Sequence, residues 1–108
     1  MKAGQLRDLV DIERPVVARN DIGDKIETWM LVETVYARIE PLRGREFLSL
    51  REMQSDITTR ITIRFLTGLD TTMRIKVGEQ AYQIDSMVDV DNRHRAIECL
   101  CVAATVAS

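Results

Sequence analysis

The chain has 108 residues, 15 of them Lys or Arg and 17 Asp or Glu, for a formal net charge of −2. That length suits one domain, spanning 1–108. The acidic balance argues against a charge-driven nucleic-acid binder, which needs a basic face to displace counterions. Hydrophobic residues make up 45% of the chain, which places it with ordinary globular proteins rather than disordered ones.

The first residues carry one lysine but no apolar stretch, so they do not read as a signal peptide. No apolar run approaches the roughly 18–20 residues that span a bilayer. The expected compartment is cytoplasm, or an assembly made there. Residues 9–17 read as a strand, and Pro15 confines it to an edge or an end. Residues 19–28 follow as a mobile loop, polar and carrying Asn20, Asp21 and Gly23. Trp29, Met30 and Leu31 come next, a large aromatic outside the regular pattern that is either a minor packing residue or an interface anchor. Residues 32–40 form a further strand, ended by Pro41.

The period then changes. Residues 44–53 hold good helix formers with apolar side chains at Phe47, Leu48, Leu50 and Met53, predicting a helix short enough to need packing. Phe47, Leu48 and Leu50 cover a broad arc, read as packing over an open barrel end or as surface to spare. From Ile57 to Phe65 the pattern alternates. Ile57, Thr59, Ile61, Ile63 and Phe65 form an inner strip, and Thr58, Arg60, Thr62 and Arg64 a wet one. Met73, Ile75 and Val77 mark another strand, closed by a Gly78-Glu79 turn. Residues 81–90 place Tyr82, Ile84, Ser86, Val88 and Val90 on one face. A turn at 91–94 leads to residues 96–102, apolar enough to suggest burial on both faces. Five to six antiparallel strands and one short helix predict a mainly β fold, a small barrel or sandwich.

Catalytic signals are sparse. No P-loop, dinucleotide fingerprint or nucleophile elbow is present. His94, between Arg93 and Arg95, reads as a solvated turn residue, and Ser49 and Ser86 have no visible base. Asp85, Asp89 and Asp91 read as a solvated edge, because a calcium loop would end in Glu. Cys99 and Cys101 sit at i and i+2 of a strand, roughly 6.5–7 Å apart, at the limit of disulfide reach. They read as two reduced core thiols. With one histidine in the chain, a four-ligand metal site is not expected. The reading is therefore no enzyme, no metal and no cofactor.

The order of features resembles the head–tail joining proteins of long-tailed bacteriophages, the head-completion or stopper proteins. The matching residues are Gly4, Leu6, Arg7, Val10 and Ile12 with Arg14-Pro15; Asp21 and Gly23 before Trp29; and a block from Tyr36 through Ala37, Ile39, Pro41 and Gly44 to Glu46. Thr59, Thr62-Ile63-Arg64, Arg74-Ile75, Tyr82, Ile84, Val88, Val90 and Arg95 continue it. Tyr36 stands where the family has Trp, and Arg43 where a small residue is common.

This resemblance implies a structural virion protein, assembled in the bacterial host cytoplasm. It would form a homo-oligomeric ring under the portal and adaptor, close the DNA exit and offer a docking surface to the tail or tail terminator. Double-stranded DNA would pass without sequence-specific binding, and no membrane would be involved. Glu40, Arg43, Arg45, Glu46, Arg51, Glu52 and Asp56 become the candidate channel or gating segment. Ile22, Trp29, Met30, Leu31, Phe47, Leu48 and Leu50 become the candidate interface with other subunits or partners. A tail-terminator or tail-completion connector is the main alternative, and a small nucleic-acid-binding barrel a weaker one.

Overall fold

The computed structural model describes residues 6–53, 55–90 and 94–104. Six strands and one helix follow in the order β1 (Asp8–Arg19), β2 (Lys25–Pro41), α1 (Gly44–Glu52), β3 (Thr59–Arg64), β4 (Arg74–Val77), β5 (Gln80–Asp89) and β6 (Ala96–Ala104). All pairings are antiparallel, in the order β1-β2-β3-β6-β5-β4. Pairing of β1 with β4 closes the ring into a barrel, so the sheet body has no free edge.

Alternation fills the interior. β3 sends Ile61 and Ile63 inward, β1 Val10 and Ile12, β4 Ile75, β5 Ile84, and β6 Ile97, Cys99 and Cys101. Both thiols are free and buried. Burial pushes the Cys99 thiol up to about 12. Cys101 is raised as well, by burial first and then by the neighbouring Cys99 and Asp85. β3 and β4 are not neighbours, so residues 65–73 cross one end of the barrel. Phe65, Leu66, Leu69 and Met73 pack there against the core. Gln83 Nε2 donates to the carbonyls of Thr71 and Met73, both at 2.9 Å, and ties the crossover to β5.

Three expectations need correction. Residues 19–28 are not one loop. Only 20–24 form a turn, and Lys25 to Thr28 already belong to β2. Asn20 Oδ1 accepts the N–H groups of Ile22 (3.1 Å) and Asp24 (2.9 Å), and Gly23 takes the positive φ of 86° that the tight reversal requires. Trp29 is thus a strand residue. In β5 a bulge falls between Ile84 and Ser86, so Asp85 is the extra residue. The face switches there: Met87 packs on the core and Val88 is exposed. Finally, β6 buries Ile97, Cys99 and Cys101 on one face; on the other Ala96 is buried, and Glu98, Leu100 and Val102 are half-covered.

The barrel is not the whole molecule. β1 pairs with β4 only through residues 11–13, and β2 pairs with β3 only through residues 37–41. Beyond those points, among the described residues, β1 and β2 pair only with each other, and they project as a two-stranded arm. The radius of gyration, 15.0 Å, exceeds the roughly 13 Å of a compact chain this long, and the longest extent is 48 Å. Pro15 lies on this arm, where β1 has one neighbour, which is why a residue without an N–H is tolerated. The arm leaves the barrel at the crossover end, whereas α1 follows the other end of β2.

Candidate functional site

Six of the seven residues of the predicted gating segment fall on and around α1, and Glu40 lies near the end of β2. Leu42 is buried just before it and Ile57 just after, and Leu42 N–H donates to the Thr58 carbonyl at 2.9 Å. This closes the neck of an excursion from the barrel wall. Gly44 has φ 60°, which lets the chain turn sharply from Pro41 into the helix. Arg43 occupies the N-cap without a side-chain capping bond, and α1 has no buried residue. Phe47 and Leu50 are half-buried, and Leu48 is 59% exposed.

Polar contacts add to this partial burial. Glu46 accepts a charge-assisted hydrogen bond from Arg60 on the outer face of β3. Arg60 Nε also lies 3.3 Å from Glu98 Oε1, close enough for an ion pair though not aligned as a hydrogen bond. The register explains this meeting. Glu40, Arg60 and Leu100 form one row across β2, β3 and β6, and Arg38, Thr62 and Glu98 the next. Arg38 Nε donates to Glu40 at 3.1 Å along its own strand. Thr62, expected on the wet strip, is fully buried in the middle of this charged grid. Its hydroxyl has no hydrogen-bond partner among the described residues.

Arg51 stacks 5.3 Å over the Phe47 ring and lies 3.9 Å from Asp56. Both charges of that pair are well exposed, so it holds weakly. Arg43, Arg45 and Glu52 are exposed. The structure thus brings Glu46, Arg51 and Asp56 onto one excursion, but places Glu40 on the barrel wall. Arg60 and Glu98, which tie the excursion down, were not singled out from sequence. The wet strip contained Arg60, but nothing local showed which helix residue would reach it.

The predicted interface residues divide into two places. Phe47, Leu48 and Leu50 sit on α1. Ile22 caps the arm at 81% exposure, with Met30 and Leu31 also exposed along it. Trp29 is half-buried, its ring 4.1 Å from the Arg74 guanidinium. Arg74 Nε in turn donates to Glu13 at 2.8 Å, so this cluster braces the arm against β4. On the outer face Leu9 and Tyr36 are paired across strands, and both are more than half exposed. His94 stacks on Phe65 with ring centroids 4.5 Å apart, and its backbone N–H donates to the Asp89 carboxylate. Asp91 and Arg93 lie outside the described residues. Among the described residues no group of three or more His, Cys, Asp or Glu is placed to hold a metal.

The phage head completion protein family matches residues 1–104. The chain belongs to this family. Head completion is a structural role within the virion, and it implies association with other virion components. Head completion protein gp7 of Enterobacteria phage HK97 is 29% identical over 83 residues, covering 77% of this chain and 74% of that one. Protein SF1141 from Shigella flexneri 2a superposes with a TM-score of 0.77 and 26% identity, over 99% of this chain and 100% of that one. A chain from the virion of a native gene transfer agent particle shares the fold, with a TM-score of 0.60 at 14% identity over 94% and 97% of the two chains.

Proposed function

We propose that this head completion protein assembles as a ring beneath the portal and its adaptor once DNA has been packaged, as a single-domain structural subunit without catalytic activity. The ring closes the exit channel and offers the tail, or its terminator, a docking surface. The observation that carries this reading is α1. A short helix with no buried residue hangs from a closed barrel by a narrow neck and one partly covered ion pair. Such a segment can swing without unfolding the body that carries it.

Charge is compatible with a gate. The excursion, residues 42–57, carries three acids against three arginines, with Glu40 on the barrel wall beside it. A ring repeats that balance at every subunit, and a lumen without net positive charge does not grip phosphates. A ring is also a head-to-tail contact closed by rotation, which suits a subunit with exposed apolar side chains on two separate surfaces. Double-stranded DNA passes through without sequence being read.

Sedimentation tests the reading. Purified protein should co-sediment with DNA-filled, tail-less heads and not with finished tails. Binding to tails alone would make it a tail terminator and overturn the proposal.

A further inference from the structure

The arm carries two open strand edges. Among the described residues, 25–36 of β2 pair with no strand on the β3 side, and 14–19 of β1 with none on the β4 side. The β2 edge holds no proline or glycine and is rich in β-branched and large apolar residues. An edge of that kind is a template for another strand.

Charge selects the strand. The acids on the open stretch of β2 are Glu27 and Glu33, and the charges on the open stretch of β1 are Arg14 and Arg19. A pairing of β1 with itself offers Arg14 and Arg19 no acid, and a pairing of β2 with itself offers Glu27 and Glu33 no cation but Lys25. Opposite charges set across strands are favourable and like charges unfavourable. Pairing β1 of one copy with β2 of the next sets arginine against glutamate.

The spacing fits as well. The arginines are five residues apart and the glutamates six. β2 carries one extra residue between them, because Ile12 pairs with Glu33 and Glu13 with Leu31, leaving Val32 unopposed. Shifting the register within the arm by two residues, on both sides of that bulge, puts Arg19 opposite Glu27 and Arg14 opposite Glu33 together. An even shift preserves both the side-chain face and the alternation of backbone hydrogen bonds.

We infer that neighbouring copies of this chain join through their arms, with β1 of one copy adding antiparallel to the open edge of β2 of the next in this shifted register. The inference rests on the ring reading above and names the contact that builds the ring. Pro15 removes one donor from the new ladder, and the apolar Val16 comes to face Met30.

The test uses Val16→Cys in affinity-tagged chains and Met30→Cys in untagged ones, mixed and loaded onto DNA-filled, tail-less heads before mild oxidation. The tagged–untagged heterodimer should exceed either homodimer by about tenfold, because only facing positions come within disulfide reach. Heads that hold the protein but show no excess of heterodimer overturn this contact and leave the ring standing. Heads that hold no protein overturn the ring, and the contact with it. A second set of variants does not depend on cysteine. Arg14→Glu with Arg19→Glu should lower loading about tenfold, as should Glu27→Arg with Glu33→Arg, and the fourfold variant should recover it. Failure of the fourfold variant to recover while it remains folded contradicts the register.

Discussion

Deleting residues 43–52 removes α1 and its cap while keeping the neck formed by Leu42 and Thr58. The lost contacts are modest. Phe47 and Leu50 are half-buried, so together they contribute about 2 kcal/mol. The partly exposed Glu46–Arg60 pair adds at most about 1 kcal/mol. Shortening the excursion from about fifteen residues to about five returns about 1 kcal/mol of closure entropy. The net loss is about 2 kcal/mol, a fall in melting temperature of roughly 8–16 °C. A core truncation such as Ile61→Ala, at a position with no exposure, costs about 2–5 kcal/mol. Thermal denaturation measures the first part. The second part is DNA retention, read as nuclease-accessible DNA from filled heads that carry the variant. The variant should fold, occupy heads and let DNA escape. Wild-type retention by occupied heads places the gate elsewhere, and failure to fold shows that α1 is part of the barrel's support.

Other consequences are separable. Glu46→Gln should speed tryptic cleavage at Arg45 and Arg51 about fivefold, because α1 loses an anchor worth about 1 kcal/mol, while barrel unfolding stays nearly unchanged. Equal cleavage rates would show that Arg60 does not restrain the helix. Trp29 is the single tryptophan, so fluorescence reports the arm directly. Arg74→Ala should shift its emission to the red and cost roughly 0.5–2 kcal/mol, and an unchanged spectrum would refute the bracing role. The thiol of Cys99 ionises near its ordinary value of 9.0 when unfolded and at about 12 when folded. Its contribution to stability is therefore complete below pH 9 and is lost as pH climbs through 12. Relative to Cys99→Ala, the wild-type stability should fall by an additional ~1.4 kcal/mol per pH unit across that window. Parallel pH curves would contradict thiol burial as the cause.

The barrel was largely legible because its strands are wet on one side. In β3, Ile61 and Ile63 against Arg60 and Arg64 leave one arrangement, and α1 stood out through its change of period. The arm was less legible because both of its faces meet solvent. Ile26, Glu27 and Thr28 show no alternation that a core would impose, and the polar turn before them reads as a longer loop. The β5 bulge was hidden because one unopposed residue, Asp85, reverses every later side chain without a mark in composition. Thr62 was misplaced for a different reason. Its strip is the outward one, but the long side chains of Arg38, Arg60 and Glu98 surround it. Cross-strand rows of this kind depend on register, which joins residues far apart in sequence. The same applies to Arg60 and Glu46, fourteen positions apart.

The central claim is that copies of this chain encircle the channel below the portal. Electron microscopy of the purified protein mixed with portal–adaptor rings measures this directly. The account predicts ring-shaped density stacked on one end of the portal–adaptor assembly, with arms bridging adjacent subunits. Unchanged portal–adaptor particles at saturating protein, or single copies bound without neighbours, would contradict it.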